Sequence, residues 1–213
     1  MGRIRTPLRV ALRFLASVLM VSGALLVLDA TITLLWQEPI SGALASRGQS
    51  ALERQLERPG PPLPSDLAAA AEQLERRVGR GDALGRISMP TLRRSYVMVQ
   101  GVGTSALRKG PGHYPDTPLP GQRGTVAVAG HRTTYLAPFR AVDRLKRGQP
   151  VVIEMPYGRF TYRVEKTRIV APTATEVTRR VGYDRLVLTA CHPLYSAAER
   201  IVVFARLERT GPA

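Results

Sequence analysis

The sequence holds one cysteine, Cys191, only three lysines, at 109, 146 and 166, and no run of five or more basic residues. A single thiol cannot form an intramolecular disulfide, and a multi-cysteine metal site is excluded. No metal and no other cofactor is expected. The lack of a basic run argues against a nucleic-acid-binding arm, although the formal net charge is +15 and the pI is near 11.2. That charge is almost wholly arginine. It fits residence beside an anionic membrane and cell wall, or a compositional bias towards Arg, Ala, Gly and Pro. A length of 213 residues with 44% apolar content allows one domain of ordinary size plus an appended segment.

Charge is also absent from Phe14 to Leu28, and after Asp29 the apolar run resumes to Trp36. The stretch 14–36 is long enough to cross a bilayer as a helix, which takes about 20 residues. Asp29 falls near the outer end, where a carboxylate reaches the headgroups, and Trp36 suits the interfacial aromatic position. Arg3, Arg5, Arg9 and Arg13 precede the run, so the positive-inside rule keeps residues 1–13 in the cytoplasm and puts everything after Trp36 outside. A single-pass cell-membrane protein with an extracellular catalytic domain is expected. A cleaved signal peptide is the alternative, disfavoured by the length of the run and by the lack of a small-residue cleavage site just past it.

Residues 37–85 suggest a juxtamembrane stalk. A loose helical pattern over 41–58 ends at Pro59-Gly-Pro-Pro-Leu-Pro64, and Ser65-Asp66 caps a second helix over 67–78. The charged Glu53, Arg54, Glu57 and Arg58 point to a solvated spacer. From 86 to 213 the texture becomes short apolar runs broken by Gly and Pro, the mark of an all-β sandwich or barrel. Strands are expected over 95–100, 124–129, 151–155, 159–165, 167–171, 185–190 and 201–207, with short helices over 104–107 and 138–145.

Three histidines could serve the thiol: His113, His131 and His192. His131 follows the strand over 124–129, and Cys191 ends the strand over 185–190, so two strand ends on one rim can bring them together. His192 is adjacent to Cys191, but successive strand residues point to opposite faces. His113 sits in a Gly/Pro-rich loop and is expected to line the cleft. Arg200 begins the next apolar strand, where a cation would lower the thiol pKa, hold a substrate carbonyl and stabilise an oxyanion. Cysteine-dependent acyl transfer follows from these residues, with hydrolysis and transpeptidation both open.

Gly124-Thr-Val-Ala-Val-Ala-Gly-His131-Arg-Thr-Thr-Tyr135, Leu188-Thr-Ala-Cys191-His192-Pro193 and Glu199-Arg200-Ile-Val-Val-Phe-Ala205 resemble actinobacterial sortases of class E. So does Gly101 to Pro115, and the likeness spans about 86–208. The resemblance implies a mainly β fold: an eight-stranded sortase-type barrel with short helices, preceded here by the transmembrane helix and stalk. It implies a Cys-His-Arg centre at Cys191, His131 and Arg200. A thiol-protease-like cleavage of a C-terminal sorting signal, LAxTG or LPxTG in type, between Thr and Gly would leave a thioester. The protein would then pass to a cell-wall precursor amine, lipid II-like, in a Gram-positive wall. Partners would be secreted proteins bearing such signals, together with the membrane. Tyr114 is the candidate for sensing the signal's second residue, with His113, Tyr135, Ala190 and His192 also on the substrate side. The family's Thr-Leu-x-Thr-Cys reads Val187-Leu-Thr-Ala-Cys191 here, and no acidic cluster suggests a calcium site.

Two rival readings differ in kind. An L,D-transpeptidase would show a short Ser-His-Gly-Cys string with a nearby His, and an NlpC/P60-like hydrolase would place Cys well before His; neither pattern occurs, and a silent wall-binding module would use only the basic face.

Overall fold

The computed structural model describes residues 5–36 and 39–213. Arg3 lies outside the described residues, as do the side chains of Arg5 and Trp36. The chain divides into two units, residues 1–39 and 40–213.

In the first unit a single helix, α1, runs Arg5–Trp36. Its apolar span, Arg9–Thr31, is 23 residues long and carries no buried side chains. At 1.5 Å per residue it reaches about 34 Å, against a hydrocarbon core of about 30 Å. A helix this apolar with no protein partner along it has the physical character of a membrane anchor. Asp29 falls near its C-terminal end.

The second unit is built on a barrel. Among the described residues eight strands close in the order β1-β2-β3-β4-β7-β8-β6-β5. These are β1 (Ala83–Met89), β2 (Arg94–Gln100), β3 (Gly112–His113), β4 (Thr125–Ala129), β5 (Pro150–Met155), β6 (Gly158–Val170), β7 (Arg185–His192) and β8 (Glu199–Gly211). Two neighbours are parallel, β2 with β3 and β4 with β7; the other pairs run antiparallel. Side chains alternate across each strand. Val126, Val128, Leu186, Leu188, Ala190, Ile201 and Val203 therefore fill the interior with Phe139, Phe160 and Tyr162. Their neighbours Ala127, Val187, Val202 and Phe204 form a second apolar layer outside β4, β7 and β8, covered by Tyr114, Val170 and Val177.

Three strand expectations change. Residues 159–165 and 167–171 form one strand, β6, whose ladder with β8 shifts register between Val164 and Lys166. A bulge absorbs one residue and turns the charged Glu165-Lys-Thr-Arg168 outward without ending the strand. β1 escapes sequence reading because Gly85 interrupts its alternation; that glycine is required, since a Cβ there would collide with the Glu154 carbonyl. β3 is only two residues long, formed where Gly112-His113 is caught between β2 and β4.

The segment expected to be a solvated spacer is also different. Helix α2 (Pro39–Leu56) packs on the barrel. Leu52 joins Val97, Val99, Ala83 and Ala106 in a buried cluster. Gln49 accepts from Val97 N at 2.8 Å and donates to Val97 O at 3.0 Å and Lys109 O at 2.7 Å. Its amide stands in for a neighbouring strand at the outer side of β2. Gln55 Oε1 accepts from Ala83 N at 3.1 Å, and Arg86 pairs with Glu53 at 3.2 Å. Helix α3 (Leu67–Arg77) is capped by Asp66, which accepts from Ala69 N at 2.8 Å, and its Ala70 and Ala71 are buried.

Candidate active site

Strand register brings the three expected residues onto one face of the barrel rim. Along β4 and β7, paired residue numbers differ by 60 in every pair from Thr125↔Arg185 to Ala129↔Thr189. Gly130 extends the ladder, donating to Thr189 O at 3.0 Å. Continued two residues past Ala129, the same offset would align His131 with Cys191. Across the other side of β7, Cys191 pairs directly with Arg200 on β8. By alternation all three follow the outward parity of Ala127, Thr189 and Val202. Adjacent strands lie about 4.8 Å apart, so β7 and β8 hold thiol and guanidinium as neighbours, and the imidazole follows the end of β4 on the other side of β7.

Each is held locally. The His131 carbonyl accepts from Phe139 N at 3.0 Å. Gly130 lies against the Phe139 ring with no space for a side chain, so the chain leaves β4 along one course. His131 Nε2 is buried with no hydrogen-bond partner among the described residues. Burial, and then the charge of Arg108, lower the His131 pKa from its ordinary value. Cys191 is half-buried. Arg200 Nη1 donates to the carbonyls of Ala197 at 3.0 Å and Glu199 at 2.9 Å, which anchors the guanidinium and keeps its other N–H groups for a ligand.

The remaining expected residues divide. Tyr114 donates to or accepts from the Thr189 hydroxyl at 2.9 Å and covers the outer apolar layer leading to Cys191. Tyr135 stacks its ring obliquely against His131, with centroids 5.2 Å apart. It opens a run of three residues, Tyr135, Leu136 and Ala137, at φ between 42° and 65°. Left-handed backbone costs L-residues about 1–2 kcal/mol each, so this turn is maintained by its surroundings. His192 Nδ1 accepts from Arg132 at 3.2 Å.

Two expectations are corrected. His113 does not line the cleft: it is 1% exposed, with Nδ1 2.8 Å from Gln100 Oε1 and Nε2 3.1 Å from the Pro118 carbonyl and the Thr117 hydroxyl. Burial lowers its pKa from 6.5 to about 4. Ala190 is packed in the barrel interior, because β7 alternation turns it inward when Cys191 faces out.

Sequence reasoning passed over Arg132. Only 3% exposed, it pairs with Asp143 at 3.0 Å. It donates to the carbonyls of Arg140 at 3.3 Å and Cys191 at 3.4 Å. One guanidinium thus ties the loop after His131 to the end of the cysteine strand. Adjacency to His131 was its only signal, weak in a chain so rich in arginine. Thr189 was also missed; it supplies a hydroxyl on the outward face two residues before the thiol. A cavity of about 620 Å³ lined by Asp116, Gly124 and Arg180 sits at the other end of β4, away from this chemistry.

The barrel is closed, with the Cys191 thiol and the Arg200 guanidinium paired across β7 and β8 and His131 just past the end of β4. The sortase domain model matches residues 87–208, and the chain belongs to the sortase family, whose members are cysteine transpeptidases. It is 32% identical to sortase D of Bacillus subtilis over 130 residues, covering 59% of this chain and 64% of that protein. It is 26% identical to sortase SrtE1 of Streptomyces coelicolor over 219 residues, covering 95% of this chain and 59% of that protein. The chain thus spans about three-fifths of the length of these curated relatives. Among solved structures, sortase E of Streptomyces avermitilis superposes with a TM-score of 0.58 at 34% identity, covering 63% of this chain and 93% of that one.

Proposed function

We propose that this chain is a membrane-anchored cysteine transpeptidase that cleaves a C-terminal sorting signal between Thr and Gly and transfers the protein to a cell-wall precursor amine. The observation that carries the reading is the shared register of His131, Cys191 and Arg200 on one outward face. The Cys191 thiolate attacks the Thr carbonyl carbon, and Arg200 N–H groups stabilise the oxyanion. The C–N bond breaks as protonated His131 gives its proton to the departing Gly amine, leaving a thioester on Cys191. An incoming amine loses its proton to His131 and attacks the thioester; an amide forms and the thiolate is released. His192 is a poorer base because the Arg132 guanidinium occupies its Nδ1.

An LAxTG-type signal suits Tyr114, whose ring stands over the outer apolar layer on the approach to Cys191. Residues 1–13 lie in the cytoplasm and the barrel outside, a reading supported by Arg3, Arg5, Arg9 and Arg13 ahead of the uncharged run that begins at Phe14.

Incubating the full chain in detergent with an LAxTG peptide and an amine tests the reading. Transpeptidation product and a trapped thioester are expected, falling by at least about 10³-fold in Cys191→Ala and His131→Ala. His192→Ala should retain measurable turnover. Equal loss for His131 and His192, or product formation without Cys191, would sink the assignment.

A further inference from the structure

Beyond His131 the rim carries a second cation, Arg108, reached through the Tyr135 ring. Arg108 follows the short helix α4 (Thr104–Leu107) between β2 and β3. Its guanidinium carbon lies 5.7 Å from the centroid of the Tyr135 ring, and that ring is 5.2 Å from the His131 ring. Barrel order therefore sets the rim out as Arg108, Tyr135 with His131, Cys191, then Arg200. Arg108 is exposed, and among the described residues none of the ion pairs engages it. Its backbone is nonetheless fixed. The next residue, Lys109, gives its carbonyl to Gln49 at 2.7 Å and its ammonium to the Gly81 carbonyl at 3.0 Å.

The chemistry says what passes over this cation. His131 must touch the departing amine and the incoming one in turn, so both nitrogens occupy one position beside it. Substituents on that nitrogen's carbon project away from the thioester, over Tyr135 towards Arg108. We propose that Arg108, placed by Tyr135, is an acceptor-side subsite for an amine that bears a carboxylate on the neighbouring carbon. The inference rests on the transpeptidase reading.

Reach agrees with this. The two ring spacings bound the imidazole-to-guanidinium separation below about 11 Å. An amine hydrogen-bonded to imidazole, with a carboxylate one carbon away that accepts from a guanidinium, spans about 9 Å. The unpaired arginine also distinguishes the two amines. The departing peptide carries a neutral amide at that carbon and the acceptor an anion, so charge favours transfer over resealing.

The test uses the full chain in detergent, a labelled LAxTG peptide, and glycine against glycinamide as matched acceptors. Differences in amine basicity cancel when the acceptor ratio is compared between proteins. Arg108→Gln should lower kcat/KM for glycine about tenfold, the size expected of one charge-assisted contact. Glycinamide transfer should fall less than glycine transfer. Loss of the Arg108 charge also acts on His131, but that effect bears on both acceptors alike, so the glycine-to-glycinamide ratio is what reads the subsite. Arg108→Glu should disfavour glycine further. An unchanged acceptor ratio in both variants, or equal loss for the two acceptors, overturns the subsite while leaving the thioester intact. If the unaltered chain forms no thioester, the transpeptidase reading fails first, and the subsite with it.

Discussion

At the scale of residues, exposure separates histidines that look alike in sequence. His131 and His113 each follow a glycine, yet one opens onto the rim and the other is sealed beneath the β3–β4 loop. A buried neutral His113 ties stability to pH. Its folded pKa of about 4 lies below the ordinary 6.5. Above pH 6.5 neither folded nor unfolded chain protonates it, and no penalty arises. As pH falls from 6.5 to 4 the unfolded chain gains a proton that the fold refuses, so stability drops by about 3 kcal/mol at most. Urea midpoints measured between pH 7 and 4 should fall accordingly, and His113→Gln should flatten that dependence even if it lowers stability throughout. An unaltered slope in the variant would show that other groups carry the effect. The order of His131 and Cys191 in the chain was legible because each ends an apolar run. The burial of His113 was not, because it depends on Gln100, Thr117 and Pro118 closing round it from separate segments.

At the scale of elements, α2 is the clearest departure from what its sequence suggests. Its charged residues suit solvent, but Gln49 and Leu52 carry the docking, and neither has a local pattern that marks it. Gln49 replaces a missing strand partner for Val97 and braces the Lys109 carbonyl next to Arg108. Gln49→Ala strands backbone groups at that site and should cost about 1–3 kcal/mol. Leu52→Ala removes a 3%-exposed side chain from the satellite cluster and should cost about 2–5 kcal/mol. Chemical denaturation of both variants checks this. Wild-type stability in both would mean that α2 stands off the barrel. β4, β7 and β8 were visible in advance, since their alternation is uninterrupted; β1 and β3 depend on partners supplied by other strands.

At the scale of the whole molecule, a single apolar helix and a basic barrel unit share one chain. The 23-residue span with no buried side chains leaves its leucines and valines exposed, as a membrane anchor would. The protein should stay in the membrane pellet through carbonate extraction and be recovered with its native N-terminus. A product beginning after residue 36 would identify the span as a cleaved signal. External protease should digest the barrel unit in intact protoplasts and spare residues 1–13; the reverse pattern would invert the proposed orientation.

The sequence alone marked the long apolar run, strands β4, β7 and β8, and the three chemical groups proposed for the site. Each of these is written in local terms: a long uncharged run, a period of two, and a reactive residue at a strand end. Tertiary structure decided which groups meet. A constant offset of 60 between β4 and β7 runs to Ala129 and Thr189, two residues short of His131 and Cys191. Alternation turns Ala190 inward, and chain segments far apart in sequence bury His113, seat Gln49 on β2 and bring Arg108 over Tyr135. Register and burial are properties of pairs of segments, and no single stretch of sequence contains them.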